Sequence, residues 1–110
     1  MNEMQDKGWK DLTPQEVEQL LKERKDIQFI DVRELEEYEA GHIEGVTLIP
    51  LSQFDIRKSE IDPEKETVFI CRSGNRSGKV CEYLSTMGYR NMYNMVGGML
   101  NWTGEVKIGK

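Results

Sequence analysis

Short runs of apolar residues alternate along the chain with stretches in which apolar residues recur at helical spacing. The runs are rich in β-branched and aromatic side chains, which is typical of strands. They predict strands at 27–32, 67–71 and 92–96, and shorter strands at 46–49 and 10–12. Because the longest runs are apolar almost throughout, we expect these strands to pair in parallel and to be covered on both faces.

The first predicted helix has a clear start signal. Thr13 is the expected N-cap, Pro14 occupies the first helical position, and Glu16 completes a capping box. The helix is expected to end near Arg24. One of its faces carries the apolar residues Val17, Leu20 and Leu21.

The last predicted helix, 76–87, has an apolar stripe and a stop signal. Val80, Leu84 and Met87 lie on one face, and Gly88 is expected at the C-terminal cap. Two further helices are predicted at 34–40 and 52–58.

The alternation of helices and parallel strands predicts an α/β fold with three layers, α/β/α. The chain has 110 residues and no internal repeat, low-complexity tract or linker. We therefore expect one domain over residues 1–110, with a core at about 9–104.

The composition argues against several kinds of partner and site. The 20 acidic residues outnumber the 15 basic ones, which argues against a nucleic-acid partner. No apolar run approaches the length of a membrane span, and residues 1–11 lack the apolar run of a signal peptide, so we expect no membrane partner and a cytoplasmic location. One His and two Cys without close ligand spacing predict no metal site.

Charged or reactive side chains lie at the ends of two of the predicted strands. In open parallel sheets, sites form outside the carboxyl ends of the strands. Asp31 and Arg33 lie at one such end, and Cys71 lies at another, followed by a glycine-containing loop and a helix. Backbone N–H groups and the helix dipole make such a loop an anion cradle. With Arg72 and Arg76 nearby as cations, Cys71 is expected to ionise readily and act as a nucleophile.

These motifs together resemble the single-domain rhodanese family over about residues 9–104. The resemblance is carried, in order along the chain, by Asp31-Val32-Arg33-Glu34, Glu37-Tyr38, Gly41-His42-Ile43-Glu44-Gly45, Ile49-Pro50, Cys71-Arg72-Ser73-Gly74-Asn75-Arg76-Ser77, Gly97-Gly98 and Trp102. The departures are mild: Val46 stands where the family often has Ala, and Glu44 where Pro is common.

The resemblance implies a rhodanese-like domain with a five-stranded parallel sheet of strand order 3-2-4-5-1. It also implies sulfur transfer through a persulfide on Cys71. The loop that would cradle the outer sulfur and bind the substrate consists of Arg72, Ser73, Gly74, Asn75, Arg76 and Ser77. Arg72 and Arg76 would hold an anionic donor at the entrance.

Other residues are given structural roles. Asp31 and Arg33 are expected to order the loops at the strand ends, His42 to order a turn, and Cys81 to be a buried, inert thiol. Trp9 and Trp102 are interpreted as packing residues. The acidic run of Glu34, Glu36, Glu37 and Glu39 is interpreted as a solvated helix start that the helix dipole favours.

The sequence thus predicts a thiosulfate sulfurtransferase. Its partners would be a small-molecule sulfur donor and a thiol or cyanide acceptor, with a protein thiol as an alternative acceptor, and no cofactor is required. One rival is a phosphatase or arsenate reductase of the same fold; such phosphatases have five residues between Cys and Arg, whereas four separate Cys71 from Arg76. The other rival is a non-catalytic rhodanese-like interaction module, in which the Cys is usually lost.

Overall fold

The computed structural model describes residues 8–24 and 26–109, and within them five strands form one parallel sheet. The strand order is β1-β5-β4-β2-β3, which confirms the order expected from the resemblance. The strands are β1 (Trp9–Leu12), β2 (Gln28–Asp31), β3 (Thr47–Leu48), β4 (Thr67–Ile70) and β5 (Met92–Met95).

Four α-helices connect the strands: α1 (Pro14–Glu23), α2 (Leu35–Ala40), α3 (Phe54–Arg57) and α4 (Asn75–Ser85). The predicted capping box at the start of α1 is confirmed. Thr13 Oγ1 accepts a hydrogen bond from the Glu16 N–H at 3.1 Å, and Glu16 Oε1 accepts one from the Thr13 N–H at 2.8 Å. None of the helices in the described part of the chain is long and apolar enough to cross a bilayer.

Two predictions about helices were wrong in detail. The segment 52–58 is not one helix, because α3 is flanked by 3₁₀ turns at Leu51–Gln53 and Lys58–Glu60. Met87 does not belong to the apolar stripe of α4, since it follows the end of that helix and its side chain is exposed.

The turn that ends α4 confirms the role predicted for Gly88. The N–H of Gly88 bonds to the Ser85 carbonyl, and the N–H of Tyr89 bonds to the Leu84 carbonyl, both at 3.2 Å. This pair of bonds is a Schellman motif with glycine at its expected position.

Both faces of the sheet are buried, which confirms the three layers. Successive residues of β4 point to opposite faces, so Phe69 packs with Phe54 and Val80 of α3 and α4. Its neighbour Val68 packs on the other face with Val17 of α1. Trp9 packs against the first of these clusters and Trp102 against the second, as expected of packing residues.

The register of the central strands brings the two candidate segments together. Asp31, the last residue of β2, pairs with Ile70, the last residue of β4. The Val32 N–H continues the ladder by bonding to the Ile70 carbonyl at 2.9 Å. Asp31, Arg33 and the loop that follows Cys71 therefore lie at the same edge of the sheet.

Candidate active site

Cys71 lies at the end of β4, and the loop after it curves around its sulfur atom. The N–H groups of Gly74 and Ser77 point to Sγ at 3.1 and 3.3 Å, and the Ser77 hydroxyl oxygen is also 3.3 Å from Sγ. Backbone donors directed at one atom from the start of a helix form an anion-binding site. The predicted cradle is thus present around the sulfur itself.

The turn after β5 holds the base of this loop. The Met99 N–H bonds to the Cys71 carbonyl and the Leu100 N–H bonds to the Arg72 carbonyl, both at 2.9 Å. The approach is so close that a Cβ on Gly98 would lie 2.4 Å from the Cys71 carbonyl oxygen. A residue without a side chain is therefore required at position 98.

Hydrogen bonds set the ionisation of Cys71. Burial, the largest influence, raises the pKa of this thiol, but hydrogen bonds from Ser77 and from the backbone of Ser73 and Gly74 outweigh it. The pKa of Cys71 therefore lies below its ordinary value. Ready ionisation was expected, but its main cause is donors of the loop rather than the two arginines.

The sulfur lies at the bottom of the loop. Cys71 is 0 % exposed, whereas the rim residues Arg72, Ser73 and Asn75 are exposed. A reactant that reaches the sulfur would therefore first meet the exposed residues of the rim.

The two arginines of the loop differ in their surroundings. Arg76 forms a two-pronged ion pair with Glu37 of α2, with both N–O distances at 2.8 Å. Arg76 was expected to hold an anionic donor at the entrance together with Arg72, but in this structure Glu37 compensates its charge. The interpretation of Glu37 as a solvated residue was wrong, because its carboxylate pairs with Arg76 and only about a third of its side chain is exposed. Arg72 is exposed and takes part in none of the ion pairs within residues 8–24 and 26–109.

Asp31 and Arg33 form a buried pair beside the loop. The Arg33 guanidinium donates to both carboxylate oxygens of Asp31, the shortest distance being 2.8 Å, and also to the Gly41 carbonyl at 2.9 Å. Because both side chains are buried and the pair reaches across to another loop, its geometry is that of a structural brace.

A match to a known family agrees with this geometry: the family model described as Rhodanese-like domain covers residues 13–105. The chain belongs to the rhodanese-like family. The uncharacterized protein YqhL of Bacillus subtilis (strain 168) is 43 % identical over 83 residues, which is 76 % of this chain and 66 % of YqhL. A sulfurtransferase of Allochromatium vinosum is 33 % identical over 92 residues, covering 84 % of this chain and 86 % of that protein.

Solved structures agree with the assignment. The crystal structure of a rhodanese-like domain protein from Staphylococcus aureus has a TM-score of 0.83 and 33 % sequence identity to this chain. The match covers 92 % of this chain and 99 % of that one. Sulfurtransferases are thus among the relatives of this rhodanese-like domain, although the chain spans only about two thirds of the length of YqhL.

His42 and Cys81 of this rhodanese-like domain pack against neighbouring residues, as expected of residues with structural roles. The His42 ring stacks on Tyr38 with centroids 3.7 Å apart, and its Nδ1 lies 2.8 Å from the Tyr38 carbonyl oxygen. Cys81 is a fully buried thiol of α4 and belongs to a core cluster.

Three residues support the loop of this rhodanese-like domain in ways that the sequence did not predict: Glu37 and Gly98 were noted only as motif residues, and Asn94 was missed. Glu37 pairs with Arg76, Gly98 admits the Cys71 carbonyl, and Asn94 of β5 bonds to the loop at Gly74 and Ser77. A signal for Asn94 was present, because a polar amide inside a predicted buried strand requires a hydrogen-bond partner.

The Arg76–Glu37 pair makes stability depend on pH. The hydrogen-bonded Arg76 guanidinium lowers the pKa of Glu37 from 4.5 to about 2. A carboxylate with a depressed pKa stabilises the fold above its unfolded-state pKa, and this contribution is lost as the pH falls from about 4.5 towards 2. Since about a third of each side chain is exposed, we expect Glu37→Gln to cost about 1 kcal/mol at neutral pH.

Urea unfolding of the native chain and of Glu37→Gln between pH 2 and 7 measures the difference in their free energies of unfolding. This difference should shrink towards zero at pH 2. Glu60→Gln is the matched control, because Glu60 pairs with Arg57 on the surface away from the loop. A Glu37→Gln cost that does not change with pH would contradict the expected role of the pair.

Proposed function

We propose that this chain is a sulfurtransferase that moves sulfane sulfur from thiosulfate or a related donor to an acceptor through a persulfide on Cys71. The observation that carries the proposal is the set of loop donors directed at the Cys71 sulfur at 3.1–3.3 Å. Donors in this arrangement stabilise a thiolate and the negative charge of a persulfide.

The reaction has two displacement steps. The Cys71 thiolate attacks the outer sulfur of thiosulfate, an S–S bond to Cys71 forms, and sulfite leaves with the electron pair of the broken bond. The negative charge then resides on the outer sulfur of the persulfide. In the second step an acceptor nucleophile attacks that outer sulfur, and the Cys71 thiolate leaves with the electron pair. An already ionised thiolate needs no general base for the first step.

The proposed binding loop comprises Arg72, Ser73, Gly74, Asn75, Arg76 and Ser77. The first N–H groups of a helix have no acceptor within it, so those of Asn75 and Arg76 are suited to the outer sulfur. Arg72 would attract the anionic donor, and the Asp31–Arg33 brace would support the loop from β2.

The acceptor is proposed to be cyanide or a small thiol, with a protein thiol as the alternative. Cys71 and Cys81 are not joined in a disulfide, which is in keeping with a reducing compartment such as the cytoplasm.

Intact mass spectrometry after incubation with thiosulfate tests the proposal. We expect a gain of one sulfur atom, which cyanide then removes as thiocyanate. The mass gain should be absent from Cys71→Ser and present in Cys81→Ser. A native chain that gains no sulfur would refute the proposed step and favour the non-catalytic interaction module.

Arg72→Ala is expected to raise the KM for thiosulfate with a smaller change in kcat. The rise should be roughly fivefold, because two unit charges 4 Å apart in water attract by about 1 kcal/mol. Added salt should reduce the difference between the variant and the native chain. Steady-state kinetics at two salt concentrations measure both effects.

Lys65→Ala is the matched control for Arg72→Ala. Lys65 is also exposed, but it precedes β4 and so lies at the opposite edge of the sheet. An unchanged KM in Arg72→Ala would mean that backbone donors alone bind thiosulfate.

Phosphatase activity is expected to be absent. Four residues separate Cys71 from Arg76, and the resulting loop closes directly around one sulfur atom. A phosphoryl group has three non-bridging oxygens, each of which needs a hydrogen-bond donor. Leaving such charged acceptors unpaired in a small site costs free energy of binding. Assays with p-nitrophenyl phosphate should therefore give no turnover.

A one-residue insertion tests the same argument. A glycine inserted between Gly74 and Asn75 should enlarge the loop and weaken sulfur transfer. Robust hydrolysis of p-nitrophenyl phosphate by the native chain would favour the phosphatase alternative.

A further inference from the structure

Asn94 is a polar side chain of β5 that is buried against the candidate loop. Its exposed fraction is 6 %, and its Nδ2 donates a hydrogen bond to the Gly74 carbonyl at 3.1 Å. Its Oδ1 accepts one from the Ser77 hydroxyl at 2.5 Å. Gly78 makes room for it inside α4, because a Cβ there would lie 3.3 Å from Nδ2.

The orientation of the Asn94 amide follows from these contacts. A carbonyl oxygen such as that of Gly74 can only accept, so the amide nitrogen must face it. The amide oxygen must then face Ser77. Because an amide oxygen cannot donate, the proton in the Ser77–Asn94 hydrogen bond has to come from the Ser77 hydroxyl.

The Ser77 hydroxyl therefore has two acceptors and one proton. Its oxygen lies 3.3 Å from Cys71 Sγ as well as within hydrogen-bond distance of Asn94 Oδ1. A hydroxyl donates one hydrogen bond at a time. Ser77 is itself fully buried, so solvent water does not compete for its hydroxyl proton.

We propose that Asn94 is a positioning residue that competes with the Cys71 sulfur for the hydroxyl proton of Ser77. When Cys71 is a neutral thiol, its S–H donates to Ser77 Oγ, and Ser77 donates to Asn94. When Cys71 is a thiolate, Ser77 turns its proton to Sγ and gives up the bond to Asn94. Asn94 thus favours the states in which Sγ carries no charge.

This role deepens the proposed function and rests on it. In the persulfide the negative charge has moved from Sγ to the outer sulfur, so Sγ no longer needs the Ser77 proton. Ser77 can then return to Asn94. The competition therefore favours the persulfide over the thiolate and promotes loading of sulfur onto Cys71.

Other charged groups around Cys71 do not replace this effect. On α4 and α2, Arg76 and Glu37 compensate each other, and Asp31 and Arg33 do the same at the end of β2. Arg72 on the rim is exposed and therefore screened by solvent. None of these groups shares a proton with Ser77.

The first test measures the pKa of Cys71 in Asn94→Leu. Ultraviolet absorbance of the thiolate is titrated, and the same titration of Cys71→Ser is subtracted. We expect the pKa to fall by about one pH unit, roughly a tenfold rise in the thiolate fraction, because Ser77 is released to Sγ. If Asn94 only braced the loop, its loss would weaken the Gly74 N–H bond to Sγ and the pKa would rise, which would overturn the proposal.

The second test is a double-mutant cycle with Ser77→Ala. Ser77→Ala should raise the pKa of Cys71 more in the Asn94→Leu background than in the native chain, because only there is Ser77 free of its second acceptor. Equal shifts in both backgrounds would overturn the proposal. If Asn94→Leu fails to fold, Asn94→Ala replaces it in both tests with the same expected signs.

A third measurement links the competition to sulfur loading. At a fixed ratio of thiosulfate to sulfite, intact mass should show a smaller persulfide fraction in Asn94→Leu than in the native chain. An unchanged fraction would contradict the stated preference for the persulfide. The titrations use no sulfur donor, so a native chain that gains no sulfur would refute the proposed function while leaving the proton competition independently tested.

Discussion

Replacing Cys71 by serine is expected to reduce sulfur transfer from thiosulfate to cyanide below detection while leaving the fold intact. The serine oxygen can accept the same N–H groups from Gly74 and Ser77, so the loop keeps its shape. A hydroxyl at this position would not ionise at neutral pH and could not form the persulfide. Thiocyanate formation measures the activity, and urea unfolding measures the stability.

Cys81→Ser is the control for this prediction. Cys81 is buried on α4, and the hydrogen bonds to the Cys71 sulfur described above come from Gly74 and Ser77. We expect it to retain most of the activity, with some loss of stability from a polar group in the core. Turnover by Cys71→Ser would refute the assignment of the nucleophile. Loss of turnover in Cys81→Ser with native stability would indicate a resolving thiol instead.

Gly98→Ala is expected to have the largest effect on stability. Gly98 has a positive φ of 58°, and a Cβ there would lie 2.4 Å from the Cys71 carbonyl oxygen and 2.5 Å from that of Arg72. Backbone strain and overpacking together should cost at least about 3 kcal/mol. Because the displaced atoms belong to Cys71 and Arg72, sulfur transfer should fall as well.

Gly88→Ala separates the two causes. Gly88 also has a positive φ, of 97°, but nothing lies within 4 Å of a Cβ at that position. Its substitution should therefore cost only the backbone strain, about 1–2 kcal/mol, with sulfur transfer unchanged. Equal losses of unfolding free energy in the two variants would show that the contact with the Cys71 carbonyl is unimportant.

The wrong predictions about helices have a local cause. The pattern at 52–58 fits a helix, but the backbone leaves helical geometry at Gln53, with φ −116° and ψ 10°, and the segment forms a single α-helical turn flanked by two 3₁₀ turns. Met87 has helical spacing with Leu84, yet the glycine that ends the helix follows at once and Met87 lies in the turn. Periodicity alone cannot locate a boundary within a few residues.

Local sequence determined which elements form and which residue is the candidate nucleophile. The capping box at Thr13, the apolar strands and the glycine-containing loop after Cys71 depend on neighbours within a few positions, so their patterns can be interpreted directly. Packing on both faces of parallel strands follows from the same patterns, because apolar runs must be covered on both sides.

Tertiary structure alone decided which residues of other elements support the loop around the sulfur. Glu37 and Arg76 are 39 positions apart, and Ser77 and Asn94 are 17 apart. No periodicity connects such positions; they meet because β4 lies between β2 and β5 in the sheet. That packing brings Glu37 to the charge of Arg76 and Gly98 close to Cys71. It also places Asn94 within hydrogen-bond distance of the Ser77 hydroxyl.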